Sequence, residues 1–484
     1  MLWPLALLLL QAEAQVSEIQ RAIRTFAEAY SLIEGNAADQ VHPDNAIYEA
    51  ALPALMRRLD PHSAFLSTQQ MEQLKEMERS TTKGFGTIVS VLPGRVIVLQ
   101  TIAGSPSTRA GIAAGDEILG INNIRLDLLT MEQLVQVLGE TRQRKALLHV
   151  RRPGYATLLQ FTLTPEELAA PSVDRAYMLE PGAGYIRATS FDVETGKQVK
   201  EAIEKIGGAS LKALVFDLRN NGGGVVAAAL DTAALFLAPG QKILSARGRA
   251  RKLEEVTVPE KAEPYKFPLV ILINEKTASA AEIVTGALQD HDRATVIGTP
   301  SFGKGLVQSV YPLSQGTGMA LTTAFYYTPS GRSIQKPLKE SQLETALYAN
   351  LEDKKEFKTD AGRAVKGGGG IEPDRVVTPE RQTRLRNFLD ASGALTAFAT
   401  EFIKKNPAIT REFQVTDRHL DTLQLYLGEN KITPGVAEWS ADRDWIRNRV
   451  HQEIFNQALG VAAGDEIESQ RDPQVRAAVE ALRK

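Results

Sequence analysis

The 484-residue chain is predicted to be a multidomain α/β protein, an α/β core set between a β-rich module and helical regions at either end. Three observations predict it. Two strand–turn–helix units follow one another, "ALVFDL" (213–218) into "VVAAALDTAALFL" (225–237), and "PLVILI" (268–273) into a helical stretch around 280–289. That alternation is the pattern of an α/β core with parallel pairing. Ahead of it, short β-branched runs broken by Gly, Pro and Asn, from "TTKGFGTIVSV" to "AGIAAGDEILGINNIRL", fit a compact β-rich module. The length also exceeds what one core fills, so roughly three or four domains are expected.

The elements follow in order. "MLWPLALLLLQAEAQ" has an apolar run of signal-peptide length and an Ala12-Glu13-Ala14 cleavage pattern. Residues 1–14 are therefore expected to be a signal peptide, cleaved before Gln15, with export to a periplasmic or extracellular space. The segment lacks a basic start, and if retained it would leave the protein membrane-associated. It falls short of the about 20 residues a membrane span needs. Residues 15–79 carry helical spacing (Ile19, Ile23, Phe26, Ala27, Tyr30) and a later helix that Pro61 stops. The β-rich module occupies 80–167 and the α/β core 168–378, with "GGGG" at 367–370 as a turn or hinge. Residues 379–484 turn helical and charged, with Trp439 and Trp445 as packing anchors.

Composition narrows the function classes. Hydrophobic residues at 43% and charged residues at 24% exclude wholesale disorder. A net charge of −2 supplies no field for nucleic acid. With no cysteine there is no disulfide, thiolate metal site or cysteine nucleophile.

The chemistry concentrates in "EKTASAAEIVTGAL" (275–288), directly after an apolar strand. Ser279 is placed at a helix N-terminus, where unpaired N–H groups and the positive dipole end stabilise a developing oxyanion. The plainer alternative is an N-cap, with Glu282 completing a capping box. A serine nucleophile needs a base within reach. Of six histidines, His291 lies twelve residues on, about 18 Å along a helix rising roughly 1.5 Å per residue. His62 and His149 are read as structural, and neither HExxH nor GxSxG occurs. Lysine is the remaining choice. Lys304 sits in "TPSFGKGLVQ" (299–308) between two glycines and beside Phe302, Leu306 and Val307. Lysine ordinarily titrates near 10.4, and apolar surroundings that strip its water are what make it a base at neutral pH. A solvated hairpin lysine is the alternative. Ser301 and Lys304 also form a S-x-x-K pattern, but Pro300, Gly303 and Gly305 disfavour the helical turn it needs.

The order strand, Ser279, helix, strand, "FGKG" resembles the carboxyl-terminal processing (tail-specific) proteases. The resemblance covers 277–308 almost continuously and extends to "LVFDLRNNGGG" (214–224), "YYTPSGRSIQ" (326–335) and "GGIEPD" (369–374). It implies a crotonase-like α/β core and a serine endopeptidase in which Ser279 is the nucleophile, Lys304 the general base and Gln308 the group that orients the lysine, with no metal, nucleotide or other cofactor. Ala281 stands where many members have a second serine. Residues four apart on a straight strand are about 13 Å apart, so Lys304 and Gln308 meet only if the chain bends, as Gly305 would allow. The glycines of 222–224 can turn N–H groups into a cavity, and the resemblance assigns the oxyanion hole to Gly223 and Ala280. The 80–167 module resembles a PDZ domain. Gly84, Phe85, Gly86 and Thr87 would hold a peptide's terminal carboxylate on their backbone, and Ile88 would line the side-chain pocket. The expected partners are C-terminal tails of protein substrates, with an adaptor or a second copy of the chain meeting the helical regions and no nucleic acid. The alternative is a non-catalytic binding or adaptor protein on the same scaffold, as retinoid-binding relatives of these proteases illustrate.

Overall fold

A computed structural model describes residues 3–78, 80–249, 253–337 and 356–483. The chain divides into two compact units, and of the described residues the first holds those up to Met71 together with Gln308–Thr322.

In that first unit α1 (Trp3–Asn36) runs through the apolar start of the chain, whose residues 3–17 are described by backbone alone. Among the described residues no helix is long and apolar enough to cross a membrane. A π-type turn at Asp44–Ala51 leads into α2 (Leu52–Leu59). This helix stops where the sequence predicts, because Asp60 is extended ahead of Pro61. The Asp60 carboxylate then accepts from the N–H groups of His62 and Ser63 and from the Ser63 hydroxyl. β1 (Ala64–Leu66) runs antiparallel to residues 318–320.

The second unit begins within α3 (Thr68–Glu78) and continues into the β-rich module. It comprises β2 (Thr81–Gly84), β3 (Thr87–Leu92), β4 (Arg95–Thr101), α4 (Pro106–Ala110), β5 (Glu117–Ile121), β6 (Ile124–Arg125), α5 (Met131–Thr141), β7 (Ala146–Arg151), β8 (Leu159–Leu163) and β9 (Glu166–Ala169). The sheet runs β3-β4-β5-β7-β8, with β6 on β5, so β3 is an edge strand. Val96, Val98, Ile118, Leu134, Leu148 and Val150 form its core. β2 pairs with β9, Thr81 opposite Ala169, which brings the two ends of the module together.

The α/β core contains β10 (Val173–Glu180), β11 (Ala183–Ala188), α6 (Thr195–Lys205), β12 (Ala213–Asp217), α7 (Val226–Ala234), β13 (Lys242–Arg247), β14 (Glu254–Thr257), β15 (Leu269–Ile273), α8 (Ala280–Asp290) and β16 (Thr295–Gly298). β17 (Leu306–Pro312) and β18 (Gly318–Tyr327) follow, then the short pair β19 (Phe357–Lys358) and β20 (Ala364–Val365), and β21 (Arg375–Val376). The central sheet is β10-β11-β12-β15-β16-β21, antiparallel only at β10/β11. β12 and β15 are buried at every position, as parallel strands covered on both faces must be. Side chains alternate between those faces. Leu214, Phe216, Leu269, Ile271 and Ile273 pack under α6, α7 and α8, while Val215, Val270, Leu272 and Ile297 face the other way.

The chain ends in α9 (Arg384–Ser392), α10 (Ala394–Lys405), α11 (Asp417–Glu429), α12 (Val436–Ala458), α13 (Val461–Ser469) and α14 (Pro473–Leu482). The first five share a core of Leu389, Phe398, Leu423, Ile446, Val450 and Ile454. Trp439 is buried there, and half-buried Trp445 stacks beneath the Arg386 guanidinium. α14 leaves that bundle. Its Val475, Ala477 and Ala478 cover the second face of the central sheet, across β12, β15 and β16.

Candidate active site

β15 ends at Ile273 and α8 begins at Ala280, so the six residues between them form the corner that holds Ser279. Ser279 has φ 54° and ψ −117°, a region that costs a non-glycine residue about 1–3 kcal/mol and persists only where surroundings impose it. The hydroxyl makes no cap hydrogen bond. Half of the expected capping box forms, with Glu282 Oε2 accepting from the Ser279 N–H at 2.9 Å. Ser279 and Lys304 are each half-buried.

Glu282 does more than cap. It is fully buried, and besides Ser279 it accepts from the Gly303 N–H at 2.7 Å, the Lys304 N–H at 2.9 Å and the Ser301 hydroxyl at 2.5 Å. One carboxylate thus fastens the serine corner to the lysine-bearing segment. Burial raises its pKa, and its hydrogen bonds only partly offset that. Tyr326, also buried, places its hydroxyl 3.2 Å from the Ser279 carbonyl and 2.9 Å from the Lys304 carbonyl. Thr277 donates its hydroxyl to Leu218 O and accepts from the Phe302 N–H. Neither the second role of Glu282 nor Tyr326 was visible as chemistry in the sequence. The only signal was a capping pattern at 279–282 and a tyrosine inside the resembling stretch 326–335.

Residues 301–305 form neither helix nor strand, and β17 starts only at Leu306. No straight strand therefore runs through 303–309. The S-x-x-K alternative also ends here, because no helical turn joins Ser301 to Lys304 and the Ser301 hydroxyl lies between Glu282 and the Ile371 N–H. His291 caps the far end of the helix that Ser279 begins, bonded to Asp360 and Lys242 O. Gln308 belongs to the first unit, where its Nε2 donates to His62 O at 2.7 Å.

The glycine loop arrives from β12. A Cβ on Gly223 (φ +93°) would lie 2.8 Å from Ser279 Cβ and 2.9 Å from Ala280 N, so only glycine lets this backbone approach the serine. In this arrangement the Gly223 N–H donates to Asn221 Oδ1 at 2.8 Å, inside the loop. Asn221 is itself buried and donates to Ala188 O. No hydrogen bond to the Ala280 N–H is found among the described residues. Beneath the loop, Asp217 accepts from Arg219 and from the Tyr185 hydroxyl. Burial works against its ionisation most strongly, but Arg219 and Tyr185 prevail and hold the carboxyl below its ordinary range. Asp217 and Arg219 thereby pair at the base of the glycine loop.

In the β-rich module Gly84 ends β2, Thr87 begins β3, and Phe85 is half-buried against the core between them. Gly86 (φ +76°) lies so near Ser105 that a Cβ would collide with its side chain at 2.2 Å. The Thr87 hydroxyl bonds to Ser107 at 2.5 Å, and Ile88 projects from the edge strand with 37% of its surface exposed.

Residues 182–342 match peptidase family S41 and residues 97–152 match the PDZ domain. The chain is 35% identical over 304 residues to the carboxy-terminal-processing protease of Bartonella bacilliformis, covering 60% of this chain and 68% of that one. It is 33% identical over 292 residues to the carboxyl-terminal-processing protease of a Synechocystis species, covering 59% and 68%. The solved photosystem II D1 C-terminal processing protease aligns at 23% identity over 73% of this chain and 86% of that one, with a TM-score of 0.40. With the strained serine corner inside the S41 match and this extent of identity, the chain belongs to the S41 carboxyl-terminal processing proteases and is a serine-type peptidase that carries a PDZ domain.

Proposed function

We propose that the protein is an exported endopeptidase that selects protein substrates by their free C-terminal tails and cleaves them with a Ser279–Lys304 dyad. The observation that carries the reading is that Glu282 and Tyr326 each bond to both the Ser279 and the Lys304 backbone. The nucleophile and base are thereby tied to the same two buried groups. Neutral Lys304 takes the Ser279 proton as Oγ attacks the scissile carbonyl, then returns it to the leaving amine. Water, deprotonated the same way, releases the acyl group. The oxyanion is received by the Ala280 N–H and by the Gly223 N–H, the latter after the 222–223 peptide turns from Asn221. Gln308 orients the lysine, and its amide is held by a backbone carbonyl rather than left to rotate. A substrate tail adds as a strand to the edge of β3, its carboxylate on the backbone of Gly84 to Thr87 and its last apolar side chain against Ile88. The export reading rests on the apolar start of the chain and its A-x-A pattern.

The test is cleavage of an unfolded reporter with an apolar free C-terminus. Ser279→Ala and Lys304→Ala should each abolish turnover, and amidating the reporter's end should raise KM. Turnover surviving Lys304→Ala would assign the base elsewhere, and indifference to amidation would remove tail selection.

A further inference from the structure

We propose that Asp472, on the last helix of the chain, is a positioning residue for the glycine loop beside Ser279. The inference rests on the reading above, in which that loop serves the oxyanion. Residues 222–224 have no side chains to anchor them, so their position is set by what holds the flanking residues. Arg219 stands at the base of the loop. Its Nε and Nη2 bond Asp217, while its Nη1 donates to Asp472 Oδ2 at 2.5 Å and to Gln474 Oε1 at 2.8 Å. These last two partners are more than 250 residues away in the chain. They are fixed in turn, because Val475, Ala477 and Ala478 bury α14 against the sheet and Gln474 Nε2 donates to Val377 O.

Asp472 divides its carboxylate between two tasks. Oδ1 caps α14, accepting from the N–H groups of Gln474 and Val475, while Oδ2 takes Arg219. The C-terminal helix thereby closes the sheet from behind and supplies the second carboxylate for the arginine that carries the loop. Without that carboxylate the guanidinium keeps Asp217 but has only the neutral Gln474 Oε1 on its outer side, and the loop loosens against Ser279. Misplacements on the order of 1 Å at a reacting centre cost up to about a hundredfold in rate.

The two tasks can be separated. Asparagine and serine are both good N-caps, so Asp472→Asn and Asp472→Ser keep the helix start. Asn presents an NH2 to the Arg219 donor, and Ser withdraws the acceptor. Each variant is assayed on the reporter beside wild type and Ser279→Ala, with thermal unfolding followed in parallel. We expect kcat to fall about tenfold or more with KM within about twofold, at temperatures where the variants are fully folded. A kcat per folded molecule equal to wild type in both variants, with Ser279→Ala inactive, would overturn the positioning role and leave the peptidase reading intact. Turnover by Ser279→Ala would instead overturn the peptidase reading, and this inference with it.

Discussion

On one side of Ser279 the lysine-bearing segment is fastened by Glu282, whose donors are three backbone N–H groups and one hydroxyl; on the other, the glycine loop is fastened by Asp217, whose donors include a guanidinium. Both carboxylates are buried, and for both desolvation is the strongest single influence. For Glu282 burial prevails and the pKa rises, whereas for Asp217 the charge of Arg219 prevails and the pKa falls. Burial alone does not set a carboxylate's behaviour, and the nearest formal charge decides its sign. The serine side is thus held by hydrogen bonds from backbone N–H groups and a hydroxyl, and the glycine side by an ion pair.

The comparison can be broken one anchor at a time. Asp217→Asn should have the largest effect, because it leaves the Arg219 charge, 16% exposed, with Asp472 as its sole carboxylate; breaking such a pair costs about 3–5 kcal/mol. Urea unfolding would measure it, and a loss under about 1 kcal/mol would show that Arg219 needs only Asp472. Glu282→Gln keeps the shape and one acceptor oxygen but turns an NH2 toward some of the four donors, at about 1–3 kcal/mol. Tyr326→Phe removes one hydroxyl shared by two carbonyls and should cost about 1 kcal/mol, readable in the same experiment.

Acidity sharpens the contrast further. The folded pKa of Asp217 lies below its ordinary 3.8, so the stability it adds is present above that value and lost as pH falls through the lowered one. Glu282 lies above its ordinary 4.5, so its contribution is complete below that value and lost as pH rises through the raised one. Urea midpoints measured across pH should lose their acid-side decline in Asp217→Asn and lose a decline on the less acidic side in Glu282→Gln. The same profile in both variants would mean that the two anchors do not differ in charge.

Much of the architecture was legible because burial leaves local marks. Strands covered on both faces must be apolar throughout, and "ALVFD" and "LVILI" are. The helix before Pro61 ends for a reason contained in two adjacent residues. The corner at Ser279 followed from a strand, a turn and a helix of small residues in succession. Glu282 was legible only as a cap, since its spacing from Ser279 is local but its bonds to 301, 303 and 304 are not. The two S-x-x-K residues lie three apart in sequence, and whether they share a helical turn was settled by the irregular backbone between them.

The sequence by itself determined the order of elements and the apolar strands, because periodicity is a property of neighbouring residues, and its resemblance to the family is what proposes Ser279 and Lys304. It also carried the family, since the match runs through those stretches. The tertiary structure alone decided which buried groups tie the serine corner to the lysine segment, where the Gly223 N–H points, and that the last helix of the chain closes the central sheet and reaches Arg219. Each of these is a meeting of segments remote in sequence, fixed when hydrophobic faces close over one another and the polar groups trapped between them must find partners.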